Sequence, residues 1–256
     1  MPLLGVAEPR IDFLETVDST NAEALRRLRA GERGPLWIVS RRQTAGRGRR
    51  GRQWISPPGN LQASLLLSDP APPAAAPQIA FVAGLALHDA ANCAAPVLAA
   101  SLTLKWPNDV LCSGRKVAGI LIEGEGNPVA VAIGFGVNCR DHPPDTEYPA
   151  TDFAANGAEV EASALIRQLA AAMGKRLVQW DRGVGFAAIR AAWLDRADGL
   201  GRHLVARLGE RETRGIFVTV DDLGHLLLRR DDGTVEAIAA GTVFPLASGD
   251  DRHVQR

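Results

Sequence analysis

The stretch VAGILIEGEGNPVAVAIGFGVN, residues 117–138, sets two apolar runs on either side of the turn EGEGNP (123–128) and predicts a β-hairpin. Working outward, LTLKW (102–106) is a third strand candidate, and Ile79 to Ala95 reads as an Ala-rich helix. Phe81, Val82, Leu85 and Leu87 make that helix apolar enough to pack across a sheet. Further upstream, SDPAPPAAAP (68–77) is a surface connection, and IDFLETV (11–17), LWIVS (36–40) and LQASLLL (61–67) are strand-like. Between the first two of these, Ser19-Thr20-Asn21 opens a helix, with an oxygen of Asp18 or Ser19 available as the N-cap. Downstream, Leu165, Leu169, Met173, Leu177 and Trp180 recur at helical spacing between Ser163 and Leu194. Strands mixed with helices in this way predict an α+β layer, a mixed sheet with helices packed on it.

The last sixty residues change character. HLVARL, RGIFVTV, HLLLRR and VEAIAAGTVF are short strand candidates divided by the turns GERE, DDLG and RDDG, which predicts a compact all-β unit. The expected division is 1–199 for the mixed layer and 200–256 for the small β unit.

Lys and Arg total 29 and Asp and Glu total 29, so the formal net charge is zero and a general polyanion binder is not expected. Three widely spaced cysteines, Cys93, Cys112 and Cys139, suit neither a CxxC metal pattern nor a disulfide framework. The N-terminal MPLLGVAEPRIDFLE lacks a basic segment followed by a sustained apolar run, and no stretch approaches the ~20 apolar residues of a membrane span. The expectation is a cytoplasmic protein that engages neither membrane nor nucleic acid. Monomer and homodimer both stay open.

Within this neutral chain, Gly46 to Arg52 concentrates three glycines and four arginines, an arrangement suited to meeting an anion. Glycines bring backbone N–H groups close to a phosphate or carboxylate, and arginines supply forked, permanent charge. With no acid in the loop, its arginines read as unpaired, so the loop is expected to order on the anion it binds. Trp54 follows at once, and flanking strands favour a loop folding over a small molecule rather than a tail on nucleic acid. The GxxxxGK[ST] spacing of a P-loop is absent. A second cluster, Lys105-Trp106-Pro107-Asn108-Asp109, precedes Gly114-Arg115-Lys116. There an aspartate can hold Mg²⁺ on phosphates, a lysine can neutralise developing charge, and an asparagine amide can read a base edge.

Together STN (19–21), QTAGRGRRGRQW (43–54), KWPNDV (105–110), GRKVAGILIE (114–123) and IGFGVN (133–138) resemble the biotin–protein ligase family in order and spacing. The resemblance implies a class II synthetase-like mixed sheet with helices on one side, followed by an SH3-like β-barrel. It implies an enzyme that uses ATP, with Mg²⁺, to form biotinyl-5′-AMP, then transfers biotin to one lysine of a biotin carboxyl carrier domain, without a prosthetic group. By the same resemblance Ser19, Thr20, Asn21, Gln43, Gly46, Arg47, Gly48, Arg49, Lys116 and Gly119 surround biotin, with Lys116 and Arg49 acting in catalysis. Arg50, Arg52, Trp54, Asn108 and Asn138 then face the nucleotide, and Asp109 its metal. Ser19 is also the natural cap of its helix. The ligase motifs start by Glu15, which leaves no room before them for a helix-turn-helix, so a repressor role is not expected. Where relatives often carry an acidic residue near the C-terminus, this chain has Gly241-Thr242-Val243-Phe244. Lipoate or octanoate attachment is the rival of the same fold, and a nucleic-acid binder using the arginine loop is the rival of another class.

Overall fold

The computed structural model describes residues 9–126 and 129–246. The N-terminal residues read above for a leader, the end of the predicted turn at Asn127-Pro128 and both outer ends of the expected division lie outside the described residues.

Seven strands form the larger sheet: β1 (Ile11–Val17), β2 (Leu36–Gln43), β3 (Leu61–Ser68), β4 (Leu102–Lys105), β5 (Asp109–Cys112), β6 (Arg115–Glu125) and β7 (Ala130–Val137). Their order is β1-β2-β3-β7-β6-β5-β4, parallel at β1/β2 and antiparallel elsewhere, so the sheet is mixed as expected. The predicted hairpin is β6/β7, in register from Ala118↔Val137 to Glu125↔Ala130. Strand β5 went unread, because DVLC is four residues long and follows a turn already rich in polar side chains.

Period-two alternation divides this sheet into two different faces. On one face Trp37, Val39, Leu61, Leu65, Ile133 and Phe135 join the main core beneath α2 (Ile79–Ala94), α3 (Ala162–Trp180) and α4 (Phe186–Leu194). On the other, Leu36, Ile38, Leu66 and Ala132 pack with Ala24 and Leu25 of α1 (Thr20–Arg29) in a smaller cluster. Helices on one side only is therefore corrected: α1 lies on the face opposite α2–α4. Its ten residues carry a narrow apolar stripe that cannot cover a whole sheet face, so most of that face is left to other groups.

The C-terminal strands β8 (His203–Leu208), β9 (Arg211–Val220), β10 (Leu226–Arg229), β11 (Val235–Ile238) and β12 (Thr242–Pro245) form an antiparallel sheet ordered β11-β10-β9-β8-β12. VEAIAAGTVF thus holds two strands at opposite edges of that sheet, not one. The small sheet shares the main core, where Phe217, Val220, Leu226, Leu228 and Val243 join Trp106 and Phe81. Trp106, fully buried and joined to Pro107 by a cis peptide, donates Nε1–H to the carbonyl of Gly224 at 3.0 Å. The aromatic turn of KWPND is thus an anchor between the two sheets.

Candidate active site

Along β7 the residues on the α1 face run Ala130, Ala132, Gly134, Gly136, and their partners in β6 are Glu125, Glu123, Leu121 and Gly119. Side chains vanish where the face leaves α1, and other groups lie in the space. A Cβ on Gly134 would stand 2.5 Å from Asn21 Oδ1, and one on Gly136 2.3 Å from the Trp54 indole. These glycines form a shelf on which Asn21 and Trp54 rest. The shelf floors a cavity of about 360 Å³, within the usual range for small-molecule sites, walled by α1, the arginine loop, the β4–β5 turn, residues 143–150 and Gly241-Thr242.

One end of the cavity is neutral and rich in hydroxyl and amide groups. Gln43 Oε1 accepts from Thr20 N at 2.8 Å and lies 3.1 Å from Thr20 Oγ1, while Gln43 Nε2 donates to Ser56 Oγ at 3.0 Å. Ser64 Oγ lies 2.7 Å from Thr20 Oγ1 and donates to Asn21 Oδ1 at 2.6 Å. Asn21 Nδ2 in turn donates to Glu123 Oε2 at 2.8 Å and to the carbonyl of Leu121 at 3.2 Å. Buried hydroxyls and amides held this way keep fixed directions. Ser19 Oγ accepts from Ala22 N at 3.4 Å, and Ser19 N donates to Asp18 Oδ1 at 2.7 Å, so the N-cap role is realised. Ser64, Ser56 and Glu123 were not picked out as site residues from sequence, because Ser64 in an apolar strand, Ser56 in an irregular segment and Glu123 beside a turn carry no spacing signal.

The other end is cationic. Asp109 is buried, with Lys105 Nζ 3.2 Å from Oδ2 and Lys116 Nζ 2.6 Å from Oδ1. Burial alone would push the Asp109 carboxyl up, but the Lys116 and Lys105 ammonium groups outweigh it and hold it at about 2. Burial lowers the Lys105 ammonium, against the pull of Asp109. Two lysines on one carboxylate leave an excess of positive charge facing the cavity. As a cation ligand Asp109 does not fit, because a divalent ion would meet both ammonium groups. Among the described residues no three His, Cys, Asp or Glu side chains gather as a metal site either. In this structure Asp109 is engaged as the counter-ion that places two lysines.

Over this end lies the arginine loop, a small hairpin closed by Trp54 N to Gly46 O at 2.9 Å, Gly48 N to Arg52 O at 2.7 Å and the bridge Arg47↔Gln53. The expectation of unpaired arginines is overturned. Arg47 meets Glu123 at 2.9 Å, Arg52 meets Glu147 at 2.6 Å, and Arg50 reaches the carbonyl of Arg207 at 3.5 Å. Arg49 donates to Asn108 Oδ1 at 3.0 Å and to the carbonyl of Gly241 at 3.3 Å, and burial lowers its pKa. These partners lie 59 to 192 residues away, so sequence proximity could not reveal them.

The two asparagines are more committed than expected. Asn108 Nδ2 donates to the carbonyl of Ile120 at 2.6 Å while its oxygen takes Arg49, and Asn138 Nδ2 donates to the carbonyl of Thr151 at 3.0 Å. Both line the cavity, but Asn108 serves as a bracket for Arg49. Gly119 adjoins Lys116, whose Nζ would lie 2.9 Å from a Cβ there, so the close approach it allows in this structure is that of the lysine. Trp54 Nε1 is buried and has no partner among the described residues. Tyr148, the chain's single tyrosine, lies under Lys105 Nζ at 4.1 Å and against Phe244 of β12, with ring centroids 6.1 Å apart. Burial pushes its hydroxyl up to about 12.

A fixed array of neutral donors and acceptors at one end and clustered cations at the other defines a pocket for a small molecule that ends in an anion. The biotin/lipoate A/B protein ligase family matches residues 13–138, and the biotin protein ligase C terminal domain matches residues 199–244. The biotin–[acetyl-CoA-carboxylase] ligase of Paracoccus denitrificans is 45% identical over 241 residues, 91% of this chain and 99% of that protein. Among solved structures, the Aquifex aeolicus biotin protein ligase with biotin and ATP has a TM-score of 0.79 at 26% identity, covering 93% of this chain and 99% of that one. The Leishmania major enzyme with biotinyl-5-AMP has a TM-score of 0.65 at 28% identity, covering 91% and 100%. This chain belongs to the biotin protein ligase family.

Proposed function

We infer that this chain is an ATP-dependent ligase that forms biotinyl-5′-AMP and transfers the biotinyl group to a lysine of a biotin carboxyl carrier protein. The observation that carries this reading is one cavity that has a hydroxyl and amide array at one end and Lys105, Lys116 and Arg49 at the other. A biotin carboxylate oxygen attacks the α-phosphorus of ATP and pyrophosphate leaves. The acceptor lysine amine then attacks the acyl carbon of the mixed anhydride, an amide bond forms, and AMP departs. Neither step needs a covalent bond to the enzyme. The protein must hold two anions together, stabilise the charge that develops, and keep water from the adenylate.

In this reading Thr20, Asn21 and Gln43 face the ureido ring from above the glycine shelf, with Ser19 holding the start of α1. Gly46 to Arg49 close over biotin, and Lys116 and Arg49 act on the reacting carboxylate and phosphate. Lys105 supports them from the far side of Asp109. Arg50, Arg52, Trp54, Asn108 and Asn138 border the nucleotide, where the free indole N–H of Trp54 offers a donor. Mg²⁺ is proposed to arrive on the triphosphate, not on Asp109. The partner is the carrier domain of a biotin-dependent carboxylase, in keeping with the name of the Paracoccus relative.

The division at 199/200 is supported by backbone pairing that changes sheets there: Asp198 N donates to Leu104 O of β4, while Gly201 N donates to Phe217 O of β9. A cytoplasmic setting is in keeping with three free thiols. The test is ATP–pyrophosphate exchange with biotin, lipoate and octanoate in turn, followed by weighing a carrier domain after reaction. Biotin-dependent exchange and a biotinylated carrier are expected. Exchange with lipoate or octanoate alone would move the chain to the rival acid.

A further inference from the structure

We propose that Glu123 is a positioning residue that ties closure of the arginine loop to the head end of the pocket, an inference that rests on the biotin reading of the site. One carboxylate oxygen, Oε2, accepts from Asn21 Nδ2 at 2.8 Å and from Arg47 at 2.9 Å. Glu123 stands on the α1 face of β6, opposite Ala132 and one step along that face from the Leu121↔Gly134 pair that carries Asn21. The Asn21 amide is fixed on three sides, by Ser64 Oγ, by the Leu121 carbonyl, and by the surface of Gly134. Its position is therefore set before Glu123 acts. Arg47 is held differently. It begins the loop hairpin through its bridge to Gln53, and its side-chain partner among the described residues is Glu123. The rigid member of this trio is Asn21 and the dependent one is Arg47, so the carboxylate carries the geometry of the pocket to the loop. A pair partly shielded from water, with side chains 43% and 28% exposed, is modest in strength but acts at the loop's first charged residue.

The test uses the full chain as wild type, Glu123→Gln, Arg47→Gln and the double variant. Glutamine keeps the volume of Glu123 and an acceptor for Asn21, and removes the charge that attracts Arg47. The first readout needs no substrate: tryptic cleavage within residues 47–52 is expected to quicken about threefold or more in Glu123→Gln. Cleavage at the wild-type rate would overturn the proposal, whichever acid the enzyme uses. The second readout is release of preformed biotinyl-adenylate, expected to rise about three- to tenfold in each single variant and no further in the double. Effects that multiply in the double variant would make Glu123 a separate structural element and overturn the coupling. Should Glu123→Gln fail to fold, Arg47→Gln, altered at a partly exposed position, carries both readouts, with cleavage scored after Arg49, Arg50 and Arg52 because the substitution removes the site at Arg47, and unchanged rates there sink the proposal. Absence of any adenylate from biotin in wild type would instead count against the biotin reading, with the cleavage result still deciding the loop contact.

Discussion

Lys116 and Lys105 share one buried carboxylate, and this asymmetry of one anion to two cations is what fits the site to a second anion. Lys116, on the cavity side with a quarter of its side chain exposed, is the member free to reach a ligand. Lys116→Ala is expected to slow biotin-dependent pyrophosphate exchange by roughly a hundredfold or more, the usual cost of losing one such electrostatic contact, while circular dichroism stays that of wild type. Asp109→Asn leaves two ammonium groups facing a neutral amide and should cost about 3–5 kcal/mol near neutral pH. The Asp109 carboxyl is held at about 2 in the folded protein against 3.8 when unfolded. Its contribution is thus complete above about 3.8 and fades as pH falls through about 2. Urea unfolding of wild type and variant should therefore show a gap that is constant near neutrality and narrows by about pH 3. A gap of equal size at both ends would remove the ion pair as its source.

Strand β7 and the arginine loop show how single elements acquire two jobs. In β7 one face is Val131, Ile133, Phe135 and Val137, all core, while the other thins from alanine to glycine until Trp54 can lie on the backbone. Gly136→Ala forces its methyl into the indole, and overpacking of this kind costs about 1–3 kcal/mol. A lower melting temperature together with a raised KM for ATP is expected, and an unchanged KM would take Trp54 away from the nucleotide. In the loop, Arg49 spans the site to both Asn108 and the backbone of the small sheet. Arg49→Gly removes charge-assisted bonds worth roughly 1.5–3 kcal/mol and should speed escape of the adenylate about ten- to a hundredfold. Bystander proteins should then gain biotin, and bystander labelling no greater than with wild type would exclude Arg49 from the lid.

At the scale of the molecule, the two sheets are joined by side-chain contacts, from the buried Trp106 to surface ion pairs, more than by a linker. Trp106 bonds to Gly224, Gln78 Nε2 donates to the carbonyl of Asp222 at 3.0 Å, and Arg190 pairs with the Asp222 carboxylate at 2.5 Å. Phe81 packs so close to Gly224 that a Cβ there would stand 2.7 Å from its ring. The small sheet also supplies a carbonyl to Arg49, so removing it both uncovers core and unpins the loop. Calorimetry is expected to show one cooperative transition for the whole chain, and Trp106→Ala, which empties about 3–5 kcal/mol of packing, should shift it as a unit. Two separate transitions in wild type would show that the sheets fold independently.

By itself the sequence determined the hairpin at 117–138, the helices, the change to an all-β ending near residue 200, and the concentration of glycines and arginines from Gly46 to Arg52. Each of these is written in local signals: apolar period, turn residues, and charge set among glycines. Only the tertiary structure decided which face of the sheet holds the site, since alternation in IGFGVN separates two faces without saying which one α1 will cover. It also decided the partners of the arginines, the role of Trp106 as an anchor, and the sharing of Asp109 by two lysines. Those depend on residues brought together in space, up to more than a hundred positions apart, and on burial, which makes Asp109 the counter-charge of two lysines.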